Sequence, residues 1–232
     1  MAVHTVDRVE DVPDPVPDAR FVVVDVIIAT TSIVGLLDAG ARYVRPFADP
    51  DAARAFGHQT DDAVLVGEHH GAPLDGFDHV PLPGSFAAAD LADRPVGIYT
   101  TNGTRAVERL GRPDGLLVGS TINAAAVADR VRGNSEADPA RDTWLVGAGY
   151  RGAAAPEDRA GVELIEHHYR GGADGDAGEN RDDLRTAIRD SPPARSFREM
   201  GLDAELETVL SFDSTATVPR LHDGVFVDKG AT

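Results

Sequence analysis

The sequence predicts a layered α/β domain, on three observations. Short runs rich in valine, leucine and isoleucine recur along the 232 residues. Four of these runs lead straight into a polar or glycine-rich turn. Each turn then opens a segment with helical spacing. Strands that alternate with helices in this way build a sheet whose faces the helices cover.

In chain order, residues 1–20 are acidic and proline-rich, unlike a signal peptide, and read as a loose leader or an edge segment. FVVVDV (21–26) is a buried strand. Ala29, Thr30, Thr31 and Ser32 then supply cap residues, and IVGLLDAG carries a helix to Gly40. AVLVG (63–67) is a strand before a polar loop. VGIYT (96–100) is a strand entering the turn Thr101-Asn102-Gly103-Thr104, and RAVERL (105–110) is helical. Asn-Gly also suits a hairpin, but no second strand follows at once. LLVGS (116–120) is the next strand, with Asn123 as N-cap for AAAVADRV (124–131). GNSEADPARD (133–142) reads as a surface loop. TWLVGAG (143–149) is the fourth strand of this kind. Pro156, Glu157 and Asp158 suit the first turn of a helix that runs to Gly171-Gly172. Residues 171–183 are small and acidic and are expected to form a mobile loop. Three short helical segments (184–190, 196–201, 204–210) and two extended ones (217–221, 224–228) close the chain. Residues 21–232 are thus expected to form one domain.

If the four strands are parallel, their turns share the edge at the strand C-terminal ends, where open α/β sheets bind ligands. That edge would gather Asp25, Thr30, Thr31, Asn102 to Arg105, Ser120, Asn123 and the segment 149–158. Hydroxyls, an amide and free helix N–H groups at one point suit an oxyanion such as phosphate.

Composition narrows the partners. The formal charge is −17, from 28 Asp and 11 Glu against 21 Arg and a single lysine, Lys229. Such a surface disfavours nucleic acid and anionic membranes. It resembles the acidic surfaces of proteins from salt-loving microbes, in which high salt screens self-repulsion. With no cysteine there is neither disulfide nor thiolate chemistry. No apolar run reaches the length of a membrane span, so a cytoplasmic protein is expected.

Seven segments, in order, carry a family resemblance: VVVDVIIATTSIV (22–34), GEHHG (67–71), GFD (76–78), YTTNGTRAV (99–107), LLVGSTINAAAVA (116–128), LVGAGYRGAAAPEDRAG (145–161) and VPRLHDGVF (218–226). Together they resemble the ComB family, the 2-phosphosulfolactate phosphatases of coenzyme M biosynthesis. The resemblance implies a three-layer α/β/α fold with a mixed, largely parallel sheet. It also implies Mg²⁺-dependent hydrolysis of a phosphate ester on a 2-hydroxy acid. Three positions depart from the family's usual pattern. Ile28 stands where an arginine is usual. His79-Val80-Pro81 replaces an Asn-Ser-Pro run after GFD. Gly147 replaces a cysteine. An arginine grips an oxyanion through a planar fork, and isoleucine cannot.

Asp25, at a strand end, either binds metal or caps the next helix. Within the matched segments, Asp25, Glu68 and Asp158 are the carboxylates expected to hold Mg²⁺ and serve catalysis, with Glu157 in reserve. Thr30, Thr31, Thr101, Asn102, Gly103, Thr104, Ser120 and Asn123 are the expected substrate contacts. Arg105, Arg151 and Arg159 are the expected cations for the substrate's acid groups, although each also suits surface pairing. Glu68-His69-His70, with Asp75, Asp78 and His79, invites a zinc reading, but no helical HExxH spacing supports it. His167 and His168 suit a helix C-terminus.

The expected function is therefore a Mg²⁺-dependent phosphatase for a small 2-phospho-carboxylate, by default 2-phosphosulfolactate. Phospholactate and phosphoglycolate are alternatives. A binding protein for small anions on the same scaffold is the competing reading, motivated by Ile28. A nucleotide transferase is disfavoured, because no GxxxxGK[ST] loop is present. A homodimer is the expected assembly.

Overall fold

The computed structural model describes residues 2–69, 72–100, 103–171 and 177–228. Among them is a ten-stranded sheet, ordered β1-β8-β2-β7-β9-β10-β3-β6-β4-β5. The strands are β1 (Val3–Val6), β2 (Arg20–Val24), β3 (Tyr43–Phe47), β4 (Val64–His69), β5 (Ala72–Pro73), β6 (Pro95–Tyr99), β7 (Leu117–Gly119), β8 (Thr143–Gly147), β9 (Pro219–His222) and β10 (Val225–Asp228). Helices α1 (Ala29–Asp38), α2 (Pro50–Gln59), α3 (Gly103–Arg109), α4 (Ala124–Ala137), α5 (Pro156–Tyr169), α6 (Ala177–Arg189), α7 (Pro192–Glu199) and α8 (Asp203–Leu210) cover its faces. The sheet is mixed and mostly parallel, with helices on both faces, as the three-layer expectation requires.

Alternation of side chains along β2 shows how the layers form. Phe21 and Val23 face one cluster with Ile33 and Leu36 of α1 and Val107 of α3. Val22 and Val24 face a second cluster with Val127 of α4, Ile165 of α5 and Ile188 of α6. A strand buried on both faces must be apolar at every position, which is what FVVV supplies. α2 covers the other half of the sheet, packing Ala53 and Phe56 against Leu65 and Phe47.

The strands do not form one parallel set. β2, β7, β8 and β1 are parallel neighbours, and so are β3, β6 and β4. The hairpin β9–β10 separates the two sets, and the pairings β7–β9, β9–β10 and β10–β3 are all antiparallel. Chain sense therefore reverses three times between β7 and β3. The single parallel edge expected for all four strand–turn–helix units is thus corrected: the β6 unit lies in the second set. The usual twist of roughly 20–25° per strand pair accumulates across the hairpin, and gives a physical route for the ends of both sets to face one pocket.

Other local differences have simple causes. Val3–Val6 pairs in parallel with β8, so this part of the N-terminal segment is an edge strand. The surface loop expected at 133–142 is shorter, because α4 continues to Ala137. In the expected loop at 171–183, α6 already begins at Ala177. Leu184 and Ile188 are buried, and their i, i+4 spacing anchors that helix to the core. β3 and α2 escaped the sequence reading, although Asp49-Pro50 is a helix start: the Asp49 side chain accepts the Asp51 N–H at 3.1 Å. No helix among the described residues is long and apolar enough to cross a membrane.

Candidate active site

Four carboxylates line one small pocket of 60 Å³: Asp25, Glu68, Glu157 and Asp158. They come from three separate elements. Asp25 follows β2, Glu68 lies in β4, and Glu157 and Asp158 occupy the first turn of α5. Ile27, Ile28, Thr100, Gly149, Tyr150 and Pro193 complete the wall.

Asp25 is held by backbone. Its carboxylate accepts the Ala29 N–H at 3.2 Å, and its own N–H donates to Thr30 Oγ1 at 2.9 Å. Burial pushes its pKa up to about 6; the amides of Ala29, Ile28 and Gly103 pull it down, while the Glu68 charge adds to the rise. The close approach of α3 depends on Gly103. A β-carbon there would lie 2.2 Å from the Ala29 β-carbon and 2.9 Å from an Asp25 carboxylate oxygen.

Asp158 bridges the two turns that face it. One oxygen accepts the Val26 N–H at 2.9 Å and the other the Gly149 N–H at 3.0 Å. Burial raises its pKa well above the carboxylate range, and the charges of Asp25 and Glu157 raise it further. Glu157 is pushed up to about 7, first by burial. Its Oε2 is buried and has no hydrogen-bond partner. Gly147, beside this site, has no room for a cysteine side chain. A β-carbon would lie 2.6 Å from the Asp7 carbonyl oxygen.

A divalent cation fits this donor set. Buried carboxylates that repel one another and an orphaned carboxylate oxygen are what a hard, oxygen-seeking ion relieves. The trio Asp25, Glu68 and Asp158 does not close into a direct three-ligand cluster. Among the described residues, the one group of three metal-capable side chains with ligand atoms within 4.8 Å of one another is Asp114, His222 and Asp223, away from this pocket. Mg²⁺ commonly takes only one or two carboxylates, with waters and phosphate completing its shell. The zinc-type cluster around Glu68 and His69 is likewise absent among the described residues, and His70 lies outside them.

The remaining expected contacts divide sharply. Thr31, Ser120 and Asn123 are fully buried and serve the fold. The Thr31 and Ser120 hydroxyls bond each other, and Thr31 donates to the Val26 carbonyl. Asn123 accepts the Ser120 N–H at 2.8 Å and donates to the Thr217 carbonyl at 2.8 Å. Thr30 donates to the Asp25 carbonyl at 2.8 Å, and Thr104 to the Thr100 carbonyl at 2.7 Å. These five brace the turns after β2, β6 and β7, of which the first carries Asp25. Thr101 and Asn102 lie outside the described residues.

Of the three arginines, Arg105 pairs with Glu10 at 2.7 Å, and Arg159 with Glu163 at 2.8 Å. Arg151 has no carboxylate partner among the described residues. Its guanidinium lies over the ring of Tyr150, 5.1 Å from the centroid; Tyr150 lines the pocket and Arg151 itself does not. Pro193 of α7 also lines the pocket, and no feature of its sequence neighbourhood signals that role.

Comparison with known proteins shows the chain's family. The family model described as 2-phosphosulpholactate phosphatase matches residues 4–224. A probable 2-phosphosulfolactate phosphatase of Synechococcus sp. (strain JA-3-3Ab) is 34% identical over 161 residues, covering 67% of this chain and 65% of that protein. One from Prochlorococcus marinus (strain MIT 9303) is 32% identical over 180 residues, covering 77% of this chain and 72% of the relative. One from Thermosynechococcus vestitus is 31% identical over 238 residues, covering 94% of this chain and 96% of the relative.

Proposed function

The chain belongs to the 2-phosphosulpholactate phosphatase family, and we propose that it is a phosphoric monoester hydrolase acting on a small 2-phospho-carboxylate. By the names of its relatives, 2-phosphosulfolactate is the first substrate to consider. The observation that carries the reading is the convergence of four carboxylates on one pocket of 60 Å³. Unopposed, they would repel a phosphate ester, so the pocket calls for a cation between protein and substrate.

Asp25, Glu68 and Glu157 are the residues that would hold Mg²⁺, directly or through water. When bound, the cation would neutralise phosphoryl oxygens and orient the attacking water. The unpartnered Glu157 oxygen is the acceptor left for the ion or for a water in its shell. Asp158 is a positioning residue, because both its oxygens are spent on the Val26 and Gly149 amides. Arg151 is the cation for the ester's carboxylate, held near the pocket by stacking on Tyr150. Ile27, Ile28 and Pro193 form an apolar wall that excludes water from the ester bond.

The test is phosphate release in roughly 2–3 M KCl, a range that screens the acidic surface. Phosphosulfolactate, phospholactate and phosphoglycolate are compared with Mg²⁺ and with chelator. Release that requires Mg²⁺ and disappears in Asp25→Asn supports the reading; no release from any of the three esters refutes it. One observation favours a second reading. Ile28 lines the pocket, and no arginine does so among the described residues. A protein that is thermally stabilised by these esters without turning them over would be an anion-binding module.

A further inference from the structure

Away from the carboxylate pocket, three arginines meet at a cavity of 220 Å³ beside the start of β2 and β7. Arg20 opens β2, Arg220 lies in β9, and Arg141 precedes β8. The register pairs Leu117 with Arg220, which places Arg220 beside the loop 113–116 that forms another wall. The conjunction is unexpected in a chain of net charge −17.

Most of the other charge at the cavity is already matched. Arg20 donates to the Arg141 carbonyl at 2.7 Å and the Asp138 carbonyl at 2.5 Å, and lies 3.7 Å from the Asp138 carboxylate. Asp114 accepts the Asp223 N–H at 3.2 Å and lies 3.4 Å from His222 Nδ1. Two donors are left over. The side chain of Arg220, an exposed residue, makes no hydrogen bond or ion pair among the described residues, and its Nη2 would lie 3.4 Å from a β-carbon at Gly115, against the cavity wall. Arg141 bonds Asp18 at 2.6 Å through Nη2, but its Nε is buried and has no partner.

We propose that this cavity is a second, non-catalytic binding site for a small oxyanion, phosphate or a short dicarboxylate, gripped by Arg220 and the Arg141 Nε–H. An oxyanion offers the acceptors that these two donors lack, and a guanidinium meets it with a planar fork. The cavity is smaller than the 300–1,000 Å³ or so of pockets for drug-sized ligands, which restricts the ligand to a few heavy atoms. The site is independent of the phosphatase reading, since none of its residues touches the carboxylate pocket.

The experiment is calorimetric titration of the full chain with inorganic phosphate and, separately, succinate. It is run with chelator, in the lowest KCl that keeps the native circular dichroism. Saturable binding at one site per chain is expected. Arg220→Gln and Arg141→Gln should each weaken it about tenfold, the effect of one charge-assisted contact. Arg220→Lys should restore part of the loss, and Asp25→Asn should leave binding unchanged. Phosphate binding without succinate binding narrows the ligand to tetrahedral oxyanions, and the reverse to dicarboxylates. Absence of saturable binding by either, or binding that Arg220→Gln and Arg141→Gln leave intact, overturns the proposal. So does binding that Asp25→Asn abolishes.

Discussion

The Asp158 carboxylate takes the Val26 N–H at 2.9 Å across 132 residues of sequence. With its second oxygen on the Gly149 amide, it ties the turn after β2 to the turn after β8 and fixes the first turn of α5 against both. One side chain thus sets the distance between Asp25 and Glu157.

Asp158→Asn should separate positioning from charge. Asparagine has one acceptor oxygen, so one of the two amides loses its partner, at about 1–3 kcal/mol. We expect a lower melting temperature and a fall in kcat for phosphate release of about 100-fold, the scale seen when a group that fixes reacting atoms is displaced. Thermal denaturation and steady-state kinetics check both. Unchanged kcat would remove Asp158 from the machinery.

Gly103→Ala tests the close approach beside Asp25. The added methyl would meet the Ala29 β-carbon at 2.2 Å, so backbone must move. Overpacking of this kind costs about 1–3 kcal/mol, and a melting point shift of roughly 2–12 °C follows for a chain of this size. Phosphate release should fall with it, because the Asp25 oxygen lies 2.9 Å from the same methyl.

The pH dependence of the metal-free protein follows from two raised carboxyls. Asp25 is pushed from 3.8 to about 6 and Glu157 from 4.5 to about 7. Carboxyls with raised folded-state pKa values favour the folded state most below their unfolded values and lose that contribution as pH rises through the folded ones. In chelator, the melting temperature should therefore fall between about pH 4 and 7. Mg²⁺ should flatten the slope by stabilising the ionised forms. A melting temperature that rises over this window in chelator would contradict the buried, mutually repelling arrangement.

Ile28→Arg places a cation at the wall of the pocket. It should raise kcat/KM for phosphosulfolactate relative to phosphoglycolate by about tenfold, the effect of one charge-assisted contact. Competition between the two esters measures the ratio directly. An unchanged ratio would mean that Ile28 does not face the distal acid group.

The acidic surface predicts salt dependence. With net charge −17, self-repulsion should unfold part of the chain as KCl is diluted from molar to millimolar levels. Far-ultraviolet circular dichroism across that range is the check. A constant spectrum would show that the charge is tolerated without screening.

What the sequence determined by itself was the local grammar. FVVV had to be a strand with both faces covered, because it offers no polar face. Pro156 followed by two acids had to begin a helix, and Asp25, Glu68, Glu157 and Asp158 stood out as carboxylates at element ends or in matched segments. Their common pocket could be expected, but not which hydroxyls would face it. Tertiary structure decided that Thr31, Ser120 and Asn123 turn inward to satisfy one another and nearby backbone, since a buried hydroxyl or amide must find a partner. It also decided that Arg105 and Arg159 pair with glutamates while Arg151 stays near the pocket. The split of the sheet into two parallel sets rests on the hairpin β9–β10, whose insertion between β7 and β3 is a pairing of residues more than 100 apart. Pairing at that distance depends on which sheet edges remain open once the other strands are placed, and no local pattern encodes it.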